Sequence, residues 1–373
     1  MSLPSTLCMI DECLKIYVKD RQTDRQTDRL ASGWAHSFHV LLDRFPTLQP
    51  LVTSVINETT SSIAQENSIS HHLQQSLCPG QALSDLLCNT KGLQHNLTEK
   101  QTKLKVQDMI ERSATKDAAR LRSLQGRGSG AWLDVIPSSR KLAISPGLFR
   151  LAALLRLGMR LPLPLSATLC DCGTALDPEG YHLITCKTGG GPVWSHNSIV
   201  SAWSECLKRV SLPHTVEPRD CYSSSQSRPD ITVYNATDFN VELDISLAHP
   251  WSTDIISVAA TTDGSAASKR EGKKREKYSR ETHTSGGSPC LIPLVFEHYG
   301  RWGNAGEKFL HQISLRSRDD DGKVNSSEFK TYWRRLMSIT LQWCNSMVLA
   351  KKIDRIVCRN DSVAGFYSYQ SVR

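Results

Sequence analysis

The chain lacks long apolar runs and has few aromatic side chains. Aromatic residues make up 7% of the 373 residues, and no apolar run reaches the roughly 18 residues that a transmembrane helix requires. Asp11 and Glu12 interrupt the short apolar stretch near the N-terminus, which is not typical of a signal peptide. We therefore expect no membrane-spanning segment, no membrane partner and no export.

Acidic residues are outnumbered by basic ones. Lys and Arg total 45, Asp and Glu total 37, and the net charge is +8 with a pI of about 8.9. A surplus of this size fits a nucleic-acid partner without proving one. The 12 cysteines are scattered along the chain, which favours free thiols in a reducing compartment over a disulfide framework. The length and the 39% hydrophobic content predict two or three domains.

The first hundred residues carry little sign of a selected fold. Residues 20–29 read DRQTDRQTDR, a perfect four-residue repeat that cannot bury apolar surface. A tetranucleotide repeat in DNA translates with the same period, so this tract is a candidate for microsatellite sequence. Between residues 35 and 88, Pro46 and Pro50 interrupt the apolar residues, and we expect only short helices there. Residues 1–113 are thus predicted to be a poorly defined helical and low-complexity segment.

Helical patterns dominate much of the remaining chain. Asn96 is a candidate N-cap, and Ser145 with Pro146 opens a helix within a predicted helical linker region, residues 114–165. Asn325 and Glu328 form a capping-box-like start for the last helix, in a C-terminal helix and tail, residues 318–373. The predicted helices cover about 97–124, 147–160, 194–212, 305–315 and 326–356. Their inward stripes include Met159, Val193 and Tyr332, and residues 290–296 read as a buried strand.

Four residues between 166 and 190 have the spacing of a metal cluster. Cys170, Cys172, His182 and Cys186 read C-x-C-x9-H-x3-C. Three thiolates and one imidazole suit a tetrahedral zinc ion, although C-x-C is tighter than the usual C-x2-C. We predict a zinc knuckle at residues 166–190, with metal contributing to its stability. The alternative is four unrelated residues.

An acidic hairpin is predicted at residues 228–246. Two β-type runs, 230–234 and 241–247, flank an Asn-Ala-Thr-Asp turn. Side chains alternate between the faces of a strand, which places Asp230 with Thr232 and Tyr234, and Glu242 with Asp244 and Ser246. Three carboxylates on one face repel one another unless a cation or water intervenes. The hairpin therefore predicts a hard-cation site.

The order of motifs along the chain resembles the C-terminal region of non-LTR retrotransposon polyproteins that carry a restriction-like endonuclease. In that family a Cys-Cys-His-Cys knuckle precedes a nuclease of the PD-(D/E)xK type. The matching pieces, spread over residues 121–356, are GAWLDVIP, RLGMRLPLP, the cysteine cluster, HN at 196 and 197, VEP, RPD, ELD and KREKY. The resemblance implies an α/β fold: a restriction-endonuclease-like core at residues 191–317, the small zinc-knuckle module and helical flanking segments.

The resemblance also assigns site residues. It implies that Asp230 and Asp244 bind catalytic Mg²⁺ and that the K-x-x-K-Y segment supplies the basic group. The lysine of the family's pattern lies two residues after the second acid, where this chain has Ser246. Lys274 or Lys277, on a following helix, is therefore the expected substitute. Glu242 is a candidate further ligand, and the alternative for it is a solvated strand residue.

The segment 269–280 is strongly basic. It contains seven Lys or Arg and two Glu, and such a patch attracts the DNA backbone. The candidate nucleic-acid-binding residues are Arg228, Lys269, Arg270, Lys273, Arg275 and Arg280. A mobile loop followed by a solvated helix is the alternative, and the segment also resembles a nuclear localisation signal. We expect DNA as partner, with RNA as a further candidate, and a nuclear location.

The function expected from these patterns is Mg²⁺-dependent DNA nicking by a retrotransposon-derived endonuclease with structural Zn²⁺. No aromatic-x-Asp-Asp hairpin occurs in the chain, so a reverse transcriptase site is not expected, and a separate reverse transcriptase is a candidate partner. The acidic run 319–321 is expected to be a solvated turn. Two alternatives stay open: a nucleic-acid-binding remnant without cleavage, and a pseudogene product.

Overall fold

The computed structural model describes residues 93–164, 166–223, 227–234, 240–284, 290–318, 322 and 325–360. The repeat at 20–29, the short helices expected between 35 and 88, the hairpin turn and the acidic run 319–321 lie outside these ranges. The chain divides into two compact units, residues 1–108 and residues 109–373. The second unit includes the four segments that the sequence assigns separately from residue 114 onward.

The described residues form nine α-helices and four β-strands, and helices outweigh strands. The helices are α1 (Leu93–Glu111), α2 (Thr115–Leu124), α3 (Pro146–Leu157), α4 (Tyr181–Thr185), α5 (Gly191–Arg209), α6 (Ile256–Ala259), α7 (Ser265–Tyr278), α8 (Asn304–Ser314) and α9 (Ser326–Asn360). The strands are β1 (His214–Val216), β2 (Ile231–Val233), β3 (Val241–Ala248) and β4 (Leu291–Glu297). None of these helices has the length and apolar character needed to cross a lipid bilayer.

The four strands form one mixed sheet in the order β1-β2-β3-β4. β2 pairs with β1 and β3 in antiparallel register, with Thr232 opposite Glu242. β3 and β4 are parallel, with Ser246 opposite Val295, and α6 and α7 make the crossover that a parallel pair requires. The α/β class and the antiparallel pairing of the two acidic strands, both predicted from sequence, are confirmed.

The central strand β3 is buried on both faces. Its side chains from Val241 to Ser246 are all buried. Val241, Leu243 and Ile245 enter an apolar core with side chains of α5, α8 and α9, including Trp203, Leu310 and Leu336. The opposite face carries Glu242, Asp244 and Ser246, and α7 packs over it. Because unbonded buried polar groups are costly, that face requires hydrogen-bond partners.

The cysteine segment packs into a second apolar cluster. Leu183 and Ile184 of α4 contact side chains from α3 and α9, among them Leu151 and Leu349. Cys170 and Cys186 belong to the same cluster. α9, with 35 residues and roughly 52 Å of length at 1.5 Å per residue, contributes to both clusters. It therefore joins the cysteine segment to the sheet.

Several local predictions differ from the structure. The helix expected over 97–124 is two helices, because Ser113 makes a tight turn onto Ile110 and Ala114 is extended; Asn96 lies inside α1. Met159 and Val193 are 51% and 64% exposed instead of inward. Met159 follows the left-handed Gly158 (φ 66°) that ends α3, and Val193 lies in the first turn of α5.

The start of the last helix agrees better with the sequence. The amide of Glu328 donates to Asn325 Oδ1 at 3.2 Å, and Asn325 Nδ2 donates to Glu328 Oε2 at 2.6 Å. This reciprocal bonding confirms the predicted capping. Tyr332, however, is 44% exposed, so the inward stripe of α9 begins at Trp333.

Two buried carboxylates connect the helices to β4. Glu297, at the end of β4, accepts hydrogen bonds from Ser123 Oγ at 2.5 Å and from the amide of Ala267 at 3.1 Å. Burial raises the pKa of Glu297. Glu271 of α7 accepts a bond from the amide of Ala305 at 3.1 Å and thereby caps the first turn of α8. These bonds satisfy helix N-terminal donors that would otherwise be buried without partners.

Glu271→Ala should destabilise the protein by about 1–3 kcal/mol, because a buried amide loses its acceptor. Glu276→Ala is the matched control on the same helix, since Glu276 is 67% exposed and pairs only with Arg280. Urea unfolding followed by circular dichroism gives the free energy of unfolding. Equal losses in both variants would contradict the capping role.

Candidate functional site

Asp230 lies immediately before β2 and is bonded to β3. Its Oδ2 accepts a hydrogen bond from the amide of Ile245 at 2.6 Å, and its own amide donates to the carbonyl of Leu243 at 2.9 Å. Its Oδ1 lies 3.0 Å from His196 Nε2. The side chain is 20% exposed. Asp230 is thus fixed across the two acidic strands while one side of its carboxylate stays reachable.

Asp244 lies on the polar face of β3 and is almost fully enclosed. Its side chain is 5% exposed, and Lys274 Nζ lies 2.6 Å from its Oδ1. Ser246 Oγ donates to the same oxygen at 3.3 Å. The hydroxyl of Tyr278 lies 2.8 Å from Asp244 Oδ2 and 2.8 Å from the carbonyl oxygen of Arg228. Lys274 is therefore the cation in direct contact with Asp244.

Lys274 and Tyr278 are four residues apart on α7, so they share one face of the helix. That face presents an ammonium and a phenol to the two oxygens of Asp244. Burial, and then the charge of Asp244, raises the pKa of Tyr278. Lys277, the other candidate lysine, is exposed and lies over the ring of Tyr278, 5.0 Å from its centroid. The structure therefore brings Lys274 to the acids and leaves Lys277 outside.

His196 is a site residue that the sequence analysis did not place among the catalytic candidates. It lies on α5, its side chain is 30% exposed, and it lines the same cleft as Lys274. The hydrogen bond with Asp230 raises the pKa of His196, and burial opposes this effect. The available signal was the HN pair at 196 and 197, which belongs to the set of matching motifs.

Glu242 is part of a separate polar contact. It is 1% exposed, its Oε1 lies 2.6 Å from His283 Nε2, and Tyr222 donates to its Oε2. The sequence predicted that Glu242 is either a further metal ligand or a solvated strand residue. In the structure its carboxylate is buried and anchors the segments around Tyr222 and His283 to the sheet. A solvated Glu242 is therefore excluded.

A cleft of about 520 Å³ opens beside these residues. One wall is basic and belongs to α7, with Lys269, Arg270, Lys273 and Lys274. The facing wall includes Pro192 and Val193 of α5, next to His196. The floor includes residues 245–248 of β3, His249 and His298. The cleft therefore offers positive charge along one side and a route to Lys274 and His196.

Most of the predicted nucleic-acid-binding residues have carboxylate partners. Lys269 and Lys273 lie 3.0 and 3.1 Å from the same oxygen of Asp254 and lower its pKa. The remaining pairs are Arg228 with Glu217 at 3.0 Å, Arg275 with Glu271 at 3.3 Å, and Arg280 with Glu276 at 2.6 Å. Arg270 is exposed and has no carboxylate partner among the described residues. Since exposed ion pairs contribute little stability, a polyanion can compete for these cations.

Cys170, Cys172, His182 and Cys186 converge. Their ligand atoms all lie within 4.8 Å of one another, and no other group of three or more such ligands converges within the described ranges. Cys170 Sγ and Cys186 Sγ are 3.8 Å apart, which matches the edge of about 3.8 Å expected for a zinc tetrahedron with Zn–S bonds near 2.3 Å. Cys172 Sγ lies 3.0 Å from His182 Nε2. The cluster can hold a metal ion such as zinc, as predicted.

Residues around the cysteine cluster position its ligands and favour the ionised form that binds a metal cation. Asp177 accepts hydrogen bonds from the amides of Tyr181 and His182, at 2.5 and 2.7 Å, and so starts the short helix that carries His182. Hydrogen bonds from Thr174 lower the pKa of Cys172 to about 6, which favours the thiolate that binds metal. Lys352 of α9 donates to the carbonyl of Cys186 at 2.9 Å.

Comparison of the chain with models of known protein families and with curated proteins gives no match. Chemical function is therefore inferred from the site residues. Two carboxylates, a lysine and a histidine beside a basic cleft can position a phosphate ester and a water molecule. The cysteine cluster is closed by four protein ligands, which is typical of a structural metal.

Metal removal tests the cysteine cluster. We expect about one zinc per chain in the purified protein, and Cys186→Ser should lose that zinc and lower the melting temperature. Elemental analysis and thermal unfolding give both quantities, and cobalt substitution should produce the absorption of a tetrahedral thiolate site. Cys290→Ser, an exposed cysteine outside the cluster, should change neither. Zinc-free wild-type protein would refute the assignment.

His298, on the cleft floor, predicts a loss of stability in acid. Burial lowers the pKa of His298 to about 4, whereas an unfolded histidine titrates near pH 6.5. Between these values only the unfolded chain binds the proton, so stability falls as the pH falls. From pH 7 to pH 5 this histidine should contribute about 2 kcal/mol of that fall.

Urea unfolding at both pH values measures this contribution. His298→Asn should flatten the pH dependence, whereas His311→Asn, at an exposed position of α8, should not. An unchanged slope in the His298 variant would show that the histidine titrates normally in the folded protein.

Proposed function

We propose that the unit 109–373 contains a Mg²⁺-dependent DNA endonuclease with a restriction-like core, derived from a non-LTR retrotransposon. The single observation that carries the proposal is the convergence of Asp230, Asp244 and Lys274. Two acids come from neighbouring antiparallel strands, and the lysine comes from the helix that covers them, with Nζ 2.6 Å from Asp244. Lys274 lines the basic cleft, together with His196, the partner of Asp230.

The restriction-like core is supported by the arrangement around β3. A mixed sheet places the second acid on a central strand between an antiparallel and a parallel neighbour. Helix α5 covers one face and α7 covers the other. Ser246 stands where the family's pattern has a lysine, and it bonds to Asp244 Oδ1. Lys274, 30 residues further along the chain than Asp244, places its ammonium at the same oxygen and can substitute for that lysine.

The donor set fits a hard divalent cation. Carboxylate oxygens are the ligands that Mg²⁺ prefers, and the ion commonly uses one or two carboxylates together with water and phosphate oxygens. Each oxygen of Asp230 and one oxygen of Asp244 has a single hydrogen-bond partner, which leaves acceptor capacity. Because the ammonium of Lys274 lies against Asp244, this environment already stabilises a positive charge. Asp230 and Asp244 would therefore hold Mg²⁺.

The chain's own residues have distinct tasks in phosphodiester hydrolysis. Asp230 and Asp244 would hold Mg²⁺, which would neutralise charge on a phosphate oxygen and lower the pKa of a bound water. Lys274 stabilises the charge that develops on the phosphate and orients the attacking water. His196 and the amide of Ile245 keep Asp230 in place, and Tyr278 does the same for Asp244. Arg270 and the other cations of α7 attract the DNA backbone.

One observation favours a second function, nucleic-acid binding without cleavage. Asp244 is only 5% exposed, and both of its oxygens already have partners from Lys274, Ser246 and Tyr278. A site locked in this way would keep the basic cleft and the cysteine cluster while having lost metal binding. In either case DNA is the expected partner, RNA is a further candidate, the location is nuclear, and reverse transcription would belong to a separate protein.

Asp230→Asn, Asp244→Asn and Lys274→Ala should each lower the Mg²⁺-dependent nicking rate of supercoiled plasmid by about 100-fold or more, because each removes a charge at the reacting phosphate. Lys277→Ala is the matched control from the same helix and should retain the rate within about threefold. Gel analysis of the nicked product measures these rates. Circular dichroism and melting curves must first show that each variant is folded.

Nicking at the wild-type rate by Asp230→Asn would remove the nuclease assignment. DNA binding by the wild-type protein without any Mg²⁺-dependent nicking would instead support the second function. Asp244→Asn and Lys274→Ala each leave a buried charge without its partner. If they do not fold, Asp230→Asn provides the test, because Asp230 is held by a histidine and a backbone amide and is more exposed.

A further inference from the structure

A small cavity lies at the N-terminus of α5, separate from the cleft. Its volume is about 50 Å³, and its lining includes Gly189, Gly191, Trp194, Lys351, Lys352 and Arg355. On a comparable scale, a water molecule needs about 10–15 Å³. The cavity therefore has room for a phosphate group and not for a nucleoside.

The glycines bring backbone to this cavity. Gly189 has a left-handed backbone (φ 82°), and a Cβ there would lie 2.8 Å from Arg355 Nη1. A side chain at residue 189 would therefore displace the guanidinium of Arg355 from its present contact with the loop. α5 begins at Gly191 with no side-chain cap and no acidic residue in its first turn. Pro192 has no amide hydrogen, and the amide of Trp194 donates to the carbonyl of Gly190. Gly191 and Val193 therefore supply the first-turn amides that lack an intrahelical partner and can meet an anion.

Three cationic side chains of α9 lie at this cavity. Lys351, Lys352 and Arg355 line the cavity, and no carboxylate lines it among the described residues. Lys352 is only 6% exposed, yet among the described residues its hydrogen-bond partner is a neutral carbonyl, that of Cys186. Lys351 lies over the ring of Trp194, 5.3 Å from its centroid. A buried ammonium without a carboxylate partner, beside unsatisfied helix amides, favours an anionic ligand.

The first turn of α5 separates the cavity from the basic cleft. Pro192 and Val193 line the cleft, whereas Gly191 and Trp194 line the cavity. His196 follows Gly191 by five residues, or about 7.5 Å along the helix axis. This distance corresponds to roughly two nucleotide steps of duplex rise. One strand can therefore reach both places.

We propose that the loop 188–191, the N-terminus of α5 and the cations Lys351 and Arg355 bind a backbone phosphate of the nucleic acid whose neighbouring segment occupies the cleft. The site rests on the nucleic-acid-binding part of the proposed function and is independent of cleavage. It gives the strand a second fixed point between the cysteine cluster and the acids. Lys352 links this point to the cluster through Cys186.

The first test measures DNA affinity against salt concentration in magnesium-free buffer. The double variant Lys351→Ala with Arg355→Ala should lower the slope of log K against log salt by about one, since each phosphate contact contributes about 0.9. Lys330→Ala with Arg335→Ala is the matched control, because both residues lie on α9 about 30 Å from the cavity. Lys352 is left unchanged because it also anchors the cluster.

The second test observes the loop itself. Thr188–Gly189 is the only Thr-Gly pair in the sequence, so ¹³C-carbonyl threonine with ¹⁵N-glycine gives one selective amide signal. A short oligonucleotide should shift this signal in the wild-type protein and much less in the double variant. Inorganic phosphate at the same concentration serves as the comparison for an isolated anion.

The outcomes separate this site from the nuclease. A wild-type salt slope in the double variant, or no shift of Gly189 with the oligonucleotide, overturns the phosphate site even if the protein nicks DNA. A shift with phosphate and none with the oligonucleotide overturns the nucleic-acid assignment. A shift with the oligonucleotide and a lower slope supports the site even if no nicking is found.

Discussion

The buried polar face of β3 is the constraint on which the rest of the site depends. Glu242, Asp244 and Ser246 lie on a strand that is covered on both sides, and two carboxylates cannot stay there without donors. The structure supplies those donors from outside the strand: Lys274 and Tyr278 to Asp244, and His283 and Tyr222 to Glu242. The position of α7 and the folding of the 222 and 283 segments against the sheet follow from this requirement.

Because of this requirement, a residue that stabilises the buried strand is also one of the candidate site residues. The ammonium of Lys274 compensates a side chain that is 5% exposed, so its loss costs more than a surface ion pair would. Lys274 also lines the basic cleft. Asp230 differs, because backbone and histidine partners hold it while 20% of its side chain stays accessible. The two acids thus share one site and have unequal access to solvent.

Helix α9 connects the parts of the unit 109–373. Its first half packs against the sheet core through Trp333 and Leu336, and its second half packs against the cysteine segment through Leu349 and Ile353. Lys352 and its neighbours add charge where α9 passes the start of α5. The cysteine cluster, the loop 188–191 and the sheet core therefore all pack against one helix.

The sequence by itself determined the chemistry-bearing residues: the alternation that marks Asp230 and Asp244, the spacing of the cysteines, and the dense positive charge of the segment 269–280. These are local signals, set by the two-residue period of a strand, by ligand geometry and by composition. Tertiary structure alone decided that Lys274 and not Lys277 meets the acids, that His196 joins them, and that Glu242 turns to His283. These contacts depend on how helices pack against strands that are many residues away in the sequence. The periodicity of residues along the chain does not predict that packing.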